Sequence, residues 1–530
     1  MVSAAAPHPR VPDETFITTL GHAGLWCQLG GITLLCDPWL SDTGAFLASW
    51  HVFPPNDHLD RAPLLAPDYI YISHIHEDHF DRAFLARVNK RATVIIPNFP
   101  DKRLCNQLRA LGFPRVVELD DSEVFSLGSN AEVQMLIQAI PDWHDSALLI
   151  TTAAGSILNQ NDCKLNDKQV DCILRAHGSP SLYYAQFSPA NWYPIAYGYP
   201  PEKEQRIKRL ERDNQLTLFL RHVTHLCPRL VVPFAGPPAF LDPDTLEHSL
   251  GANSMFPMMS EAVALVEERR ATGQIETRAA ALLPGDTVHL PELGIEPDPH
   301  WLNFDFAKKD VYLRDYASRR APTIAAYRAS FPAARPGLFA QFSQYINRLA
   351  GAHPYLMSRI NMAVLFQIEG PHGGSWLADF RRARDMVVKV EGGQYPYSFW
   401  IAGCYLQSVL DGDISFDSLF LSLRFRARRD PDLYNQDLMT LLKRDDTAAL
   451  RAVEAHRRQE NKKEHIELEA VGAVYRVEKF CPHAGGNLEH ARIENGVLTC
   501  PFHGWKFRVA DGKCLTAQCR DLDITEIYRR

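Results

Sequence analysis

The sequence predicts an α/β chain of more than one domain, and three observations carry that prediction. The apolar run Tyr69-Ile70-Tyr71-Ile72 reads as a buried strand, and it runs straight into the polar turn Ser73-His74-Ile75-His76-Glu77-Asp78-His79. Before it, short strands at 16–20, 25–29 and 32–36 are punctuated by Gly21, Gly24 and the hairpin signal Gly30-Gly31. After it, an amphipathic helix at 81–90, a strand at 93–97 and a further strand-helix run through 104–119 alternate. Such alternation is consistent with a four-layer αββα sandwich, two sheets flanked by helices.

With 530 residues, 46% of them hydrophobic, the chain is long enough for two or three domains with full cores. Its net charge of −7 argues against a nucleic-acid surface. No apolar run approaches the roughly 20 residues that span a bilayer. Met1 to Asp13 lacks a charged segment followed by an apolar core, so the expected compartment is the cytoplasm. The Ala/Pro-rich residues 1–14 read as a disordered tail. Eleven scattered cysteines fit reduced thiols and metal ligands rather than a disulfide framework.

The turn after the strand at 69–72 holds three imidazoles and two carboxylates within six positions. A lone histidine there would be a capped loop or a satisfied core residue. The cluster instead suits a borderline cation such as zinc, iron or manganese better than magnesium or calcium. Its pattern, His-x-His-x-Asp-His, resembles the signature of the metallo-β-lactamase fold. The resemblance implies that His74 and His76 hold one metal and that Asp78 and His79 hold a second. It also implies a downstream histidine, matched by His144 in Pro141-Asp142-Trp143-His144-Asp145, and a bridging carboxylate, matched by Asp162. Asp78 and His79 are also the expected catalytic residues. Asp37, in Asp37-Pro38-Trp39-Leu40, can orient a metal-bound imidazole or cap a turn. His22, in Gly21-His22-Ala23-Gly24, sits on a turn that lies near the metals in relatives of this fold. The last ligand of the second metal has no obvious source. The expected strand at 280–283 runs into Pro284-Gly285-Asp286 without a histidine, which leaves His248 or Asp244 as substitutes, or an open position.

Residues 183–201 pack aromatics among turn-formers and read either as a substrate lip or as a loop folded over its own aromatic cluster. A charged helix at 202–227 and a strand at 230–233 follow. The metal domain is expected to span 15–300. Residues 301–445 read as an α+β region covering the metal cleft, with a basic helix at 312–328 divided by Pro322 and a strand at 419–425. Arg424 to Asp430 is basic at strand spacing and reads as a solvated strand edge or as a phosphate contact. From 443 to 465 the chain is dominated by charge, and an exposed helix and linker are expected at 446–465.

The last segment, 466–530, carries the second strong signal. Cys481-Pro482-His483 and Cys500-Pro501-Phe502-His503 supply two thiolates and two imidazoles, with Gly485, Gly486 and Gly504 in the same two loops. That set can hold structural zinc. Cys-Pro-His-Ala-Gly-Gly and Cys-Pro-Phe-His-Gly-Trp-Lys-Phe, however, resemble the loops of an oxygenase-type Rieske domain. This small all-β domain binds a [2Fe-2S] cluster through Cys481, His483, Cys500 and His503. Cys514 and Cys519 lie outside both loops, so the loop-bridging disulfide of respiratory Rieske proteins is not expected.

A one-electron carrier beside the metal turn points to redox chemistry. The chain is similar to the CMP-N-acetylneuraminate monooxygenase (hydroxylase) family. Residues 17–40, 71–79, Leu158-Asn159 with Asp162-Cys163, 233–236 and 428–434 look like family segments in family order. The Rieske module is C-terminal here, whereas the vertebrate enzymes carry it at the N-terminus. The resemblance implies hydroxylation of an N-acetyl group of a CMP-sugar, or of a related N-acyl molecule. Dioxygen would be the co-substrate, with electrons from a reductase, ferredoxin or cytochrome b5-like donor. It implies a mono- or dinuclear nonhaem iron site, with one iron at His74, His76 and His144 and, in the dinuclear case, a second at Asp78, His79 and the bridging Asp162. The alternative is a zinc phosphodiesterase or lactonase whose Rieske domain senses redox state. No nucleic-acid or membrane partner is expected.

Overall fold

The computed structural model describes residues 14–138, 144–189, 191–251, 254–444, 446–460, 464–470, 472–483, 485–502, 504–516 and 520–529. Two mixed sheets form the first half. One runs in the order Gly294–Glu296, Thr287–Leu290, Thr15–Gly21, Gly24–Leu29, Ile32–Cys36, Tyr69–Tyr71, Thr93–Pro97, Val116–Leu119. The other runs Arg278–Ala279, Leu230–Phe234, Leu182–Gln186, Gly155–Asn159, Ser146–Thr152, Ala131–Ile137, Val124–Ser126.

Strand alternation sends Ile17, Leu25, Leu34 and Ile95 of one sheet against Val133, Leu148, Ile157 and Val232 of the other, forming a dry inner layer. The outer faces are covered by helices. Arg82–Arg87 and Arg103–Ala110 lie over the first sheet, burying Phe84, Leu85 and Leu108. Asp167–His177, Pro201–Leu226 and Met259–Ala271 lie over the second. This is the αββα sandwich of the metallo-β-lactamase fold.

The covering region is a five-stranded sheet in the order Val387–Val390, Gly374–Asp379, Ala363–Glu369, Tyr397–Ala402, Phe425–Arg429, packed with helices that include Leu338–Gly351 and Gly403–Asp411. Its core is continuous with the sandwich, because Trp39, Phe46, Trp50, Trp192 and Phe240 join the same buried cluster as Phe366, Phe399 and Phe420. At this seam the buried Trp50 indole donates to the Leu421 carbonyl at 2.7 Å. The last segment forms two three-stranded sheets, His465–Ala470 with Ala473–Glu478 and Ile524–Arg529, and Arg492–Glu494 with Val497–Thr499 and Lys506–Arg508.

Several expectations are corrected. The helix at 81–90 is shorter, Arg82–Arg87: Asp81 caps its start by accepting from the Phe84 amide at 2.9 Å, and the backbone is already extended at Val88. Pro322 does not divide its helix, which runs Lys309–Ala329. Leu313, Tyr316 and Ala317 before the proline and Ile324 after it are buried on one cluster with Phe53 and Leu241, and that packing holds both halves in line. The strand expected at 419–425 is instead the helix Phe416–Leu421, capped by the Ser415 hydroxyl, followed by the strand Phe425–Arg429. The strand expected at 280–283 is not formed there: a two-residue strand lies just before it, Arg278–Ala279, and Leu283 already donates to Asp286 in the following turn. The helix Thr447–Glu460 is docked rather than exposed. It buries Leu450 and Val453, and Arg457 pairs with Asp437 at 3.0 Å. Among the described residues, no helix is long and apolar enough to cross a membrane.

The seam yields a prediction. Trp50→Ala removes a fully buried indole and its hydrogen bond, so denaturant unfolding should show a loss of about 3–5 kcal/mol in the sandwich and covering region together. A loss confined to one of them would contradict the shared core.

Candidate metal and cluster sites

The first site is set up by Asp37, at the end of the strand Ile32–Cys36. Its Oδ1 accepts from the Ser73 amide at 2.8 Å, and its Oδ2 accepts from the Ser73 hydroxyl at 2.5 Å and lies 2.9 Å from His79 Nδ1. The outer-carboxylate reading of Asp37 therefore has a direct geometric counterpart. The turn then tightens through the amides of His79 and Phe80, both donating to the His76 carbonyl.

Donor atoms of His22, Asp78 and His79 gather within 4.8 Å of one another, and so do those of His74, His79 and Asp162. His22 Nε2 lies 3.0 Å from Asp78 Oδ2. Its loop is held by the Ala235 amide, which donates to the His22 carbonyl at 3.1 Å. His22 thus stands beside Asp78 and His79, where the sequence left the last ligand open. Neither offered substitute comes there: His248 contacts Lys208 at 2.9 Å, and Asp244 pairs with Arg328 at 3.4 Å. The long helix Pro201–Leu226 and the helix Lys309–Ala329 supply those partners, which explains why both groups turn away.

His74 and His76 form the other edge, with His74 Nε2 2.9 Å from His76 Nδ1. The Ser73 hydroxyl proton is used by Asp37, so toward His74 Nδ1, 3.0 Å away, the oxygen accepts. That fixes the His74 lone pair on Nε2. His76 and His144 both stand outside the two tight groups, His144 with its Nδ1 3.8 Å from Asp101 Oδ2 and its ring stacked on Phe99. The neighbouring Asp145 comes closer, 3.7 Å from His74 Nε2. Asp142 and Trp143 lie outside the described residues.

The donor set fits a cation. His22 Nδ1, Asp78 Oδ1, His79 Nε2 and His144 Nε2 are buried without a hydrogen bond, and the carboxylate oxygens nearest His79 Nε2 are 3.7 and 3.8 Å away. Left unfilled, such groups are costly. The charges agree. Burial alone would lower the His79 pKa, but Asp78 and Asp162 raise it well above the usual range. Burial and repulsion from His79 and His76 push His74 well below it. Burial, then the Asp162 charge, push Asp145 up to about 6. Burial and Arg444 push His144 down to about 4. A mixed imidazole and carboxylate set of this kind suits iron, zinc or manganese.

The second site is a pair of matched loops. The Cys481 amide donates to the Gly486 carbonyl at 2.8 Å, and the Cys481 carbonyl accepts from Gly485 at 2.9 Å. Likewise the Cys500 amide donates to Trp505 at 2.8 Å, and its carbonyl accepts from Gly504 at 3.0 Å. Gly485 and Gly504 adopt φ of 71° and 65°, the left-handed turn that glycine takes without strain. Both cysteines are buried. The Trp505 indole stacks on His483 with centroids 3.8 Å apart. A Cβ on Gly486 would meet Phe502 at 2.8 Å, so the loops nest tip to tip. His503 and Cys519 lie outside the described residues.

One cavity of about 220 Å³ joins the two sites. Its wall includes His76, Asp78, Asp145 and Asp162 on one side, and His483 and Trp505 on the other. Trp192 and Tyr193 of the aromatic segment also line it, while Tyr183, Tyr184 and Tyr197 are buried in the core, so that segment is part wall and part packing. Arg424 and Arg429 turn inward to Asp242 and Asp432, at 3.0 and 2.8 Å, while Arg426 and Arg428 are exposed along the strand edge. A polar network closes the floor: Gln186 donates to Asp162 at 2.7 Å, and Lys164 donates to Gln186 and to Gln215.

Sequence reasoning missed Asp145, Asp417, Lys164 and Glu211. Asp145 stood one residue from the expected histidine. Lys164 stood two residues from the expected Asp162, whereas Glu211 and Asp417 carry no local signal, because only the tertiary fold brings Glu211 to the cavity and Asp417 to His76.

A family model for the Rieske [2Fe-2S] domain matches residues 448–525. A Rieske 2Fe-2S iron-sulfur protein of Mycobacterium tuberculosis is 31% identical over 96% of this chain and 99% of its own length. The cytidine monophosphate-N-acetylneuraminic acid hydroxylase of Gorilla gorilla gorilla is 28% identical over 43% of this chain and 39% of that one. Among solved structures, CmlA, a diiron β-hydroxylase from Streptomyces venezuelae, aligns with 23% identity and a TM-score of 0.36, covering 53% of this chain and 54% of that one. The matched loops and the model thus define a Rieske [2Fe-2S] redox protein with a metallo-β-lactamase-type domain. The chain belongs to the family of Rieske 2Fe-2S iron-sulfur proteins represented in Mycobacterium tuberculosis.

The cavity floor generates a pH prediction. Burial pushes the Glu211 carboxyl from 4.5 up to about 7, although Lys164 pulls the other way. The folded chain therefore keeps a proton that the unfolded chain releases, and this group lowers stability as pH rises from about 4.5 to about 7. Glu211→Gln should flatten that part of the urea-midpoint profile. Identical profiles for variant and parent would refute the assignment.

Proposed function

We propose that this protein is a Rieske-coupled nonhaem iron monooxygenase acting on a small N-acyl molecule, with a nucleotide sugar such as CMP-N-acetylneuraminate as the first candidate. The observation that carries the reading is the shared cavity, onto which the candidate metal ligands and the Rieske His483 both open. A hydrolytic centre has no use for a one-electron carrier at its wall, whereas dioxygen chemistry requires electrons delivered singly. The name of the gorilla protein, a hydroxylase, agrees with it.

In this reading His74 and His76, with His144 or Asp145, hold one iron. Asp78, His79, His22 and Asp162 would hold a second. Asp78 and His79 are catalytic in that they touch the reacting centre. Cys481, His483, Cys500 and His503 hold the cluster. Iron bound here supplies dioxygen activation, and the overall change is balanced as R–H + O2 + 2 electrons + 2 protons giving R–OH + H2O.

The protein's own residues do the rest. Asp37 orients His79, Gln186 holds Asp162, and Trp192, Leu218 and Trp505 exclude water from the cavity. A volume of about 220 Å³ is below the roughly 300–1,000 Å³ of pockets that enclose whole ligands. It fits the acyl end of a larger molecule, or a small acyl compound entire. The electron donor is an external reductase, ferredoxin or cytochrome b5-like carrier, and the compartment is the cytoplasm.

Metal analysis and electron paramagnetic resonance on anaerobically purified, dithionite-reduced protein test this. A Rieske signal with more than two irons per chain, and oxygen uptake on adding CMP-N-acetylneuraminate or another N-acyl candidate, are expected. Two irons with stoichiometric zinc and no uptake would favour the hydrolase instead. Cys500→Ser should abolish reductant-driven turnover and the cluster's visible absorption while leaving metal at the histidine site.

A further inference from the structure

The helix Phe416–Leu421 belongs to the covering region, yet it grips the metal turn at consecutive residues. Asp417 Oδ2 lies 3.1 Å from His76 Nε2. The next residue, Ser418, hydrogen-bonds the Glu77 side chain, whose carboxylate also accepts from the Phe46 amide at 2.6 Å. Behind Asp417, Lys443 Nζ sits 3.0 Å from its Oδ1 and 4.9 Å from the centroid of Trp192, a cavity-wall residue. A line of contacts therefore runs from a candidate ligand through a buried carboxylate and a cation to the aromatic wall.

We propose that Asp417 is a positioning residue that fixes the tautomer of His76, and that the covering region in this way completes the metal site. The inference rests on His76 being a metal ligand, as in the proposed function. An ionised carboxylate can only accept, so the contact requires the proton on His76 Nε2 and places the lone pair on Nδ1. Ser73 has already placed the His74 lone pair on Nε2. With His76 neutral, the two nitrogens face each other at 2.9 Å as two lone pairs, an arrangement that a cation beside both resolves. Asp417 is 341 residues from His76 and belongs to the covering region, so this carboxylate reaches the sandwich's metal turn only through the covering region's packing.

The first test needs no variant. Long-range nitrogen-15 correlation spectra of the metal-free chain should show His76 protonated on Nε2. Protonation on Nδ1 with Nε2 bare would overturn the proposal.

Anaerobic titrations with Fe2+, and separately with Zn2+, then compare the parent chain with Asp417→Asn and Asp417→Glu. Losing an outer carboxylate of this kind weakens metal binding by about 10- to 100-fold. Asp417→Asn should show that loss with its Rieske absorption unchanged, and Asp417→Glu should recover part of the affinity. Binding by Asp417→Asn within twofold of the parent, for both ions, would overturn the proposal. If Asp417→Asn does not fold, the parent spectrum and Asp417→Glu still decide. Because Zn2+ reads the same contact, a hydrolase outcome would remove the proposed function and leave this inference standing.

Discussion

Everything at the metal site depends on one buried carboxylate. Asp37 is fully enclosed, and burial raises its pKa even though His79 and Ser73 pull it down. Its two oxygens together take the Ser73 amide, the Ser73 hydroxyl and the His79 ring. Without it the turn from Ser73 to His79 would lose its anchor to the neighbouring strand. His79 belongs to both groups of donor atoms and would then be free to rotate away from Asp78 and Asp162. Such a network is useful only when satisfied throughout, because an unpaired charge in this setting costs several kcal/mol. Within the donor groups, Asp78 Oδ1 and His79 Nε2 are left without a hydrogen bond, and a cation there would complete them.

Much of this was legible in the sequence, for local reasons. The strand ending at Tyr71, the ligand-type turn after it and the paired glycine-bearing cysteine loops each declare themselves within a dozen residues. Asp37 could be read as an outer carboxylate because the fold pattern places strand ends side by side. What stayed hidden was long-range or alternated misleadingly. Leu419 to Phe425 alternates like a strand, but the Ser415 cap and the burial of Leu419 and Phe420 select a helix. Pro322 would break an isolated helix, yet packing on both sides of it keeps the helix continuous. Asp417 and Glu211 have no signature at all, since only tertiary packing brings Glu211 to the cavity and Asp417 to His76.

The covering region and the Rieske segment are also more closely joined to the sandwich than charge patterning implied. The charged stretch after residue 446 forms a helix whose apolar side packs on the covering region, while Arg457 and Asp437 pair at the junction. On the far side of the cluster loops, a Cβ on Gly504 would touch Leu218 and Asn214 of the long sandwich helix at 3.5 and 3.6 Å. The Rieske loops are thus seated between two parts of the same chain. Their C-terminal position is no obstacle, because docking rather than sequence order sets which cavity His483 faces.

The central claim is that the cluster and the histidine metal site of one chain share that cavity. Pulsed electron paramagnetic resonance on dithionite-reduced protein, with Mn2+ loaded at the histidine site, tests it most directly. The shared cavity predicts strong dipolar relaxation of the Rieske signal by Mn2+ that persists when the labelled chain is diluted into metal-free chain. A Rieske signal that relaxes identically with and without Mn2+ would contradict it.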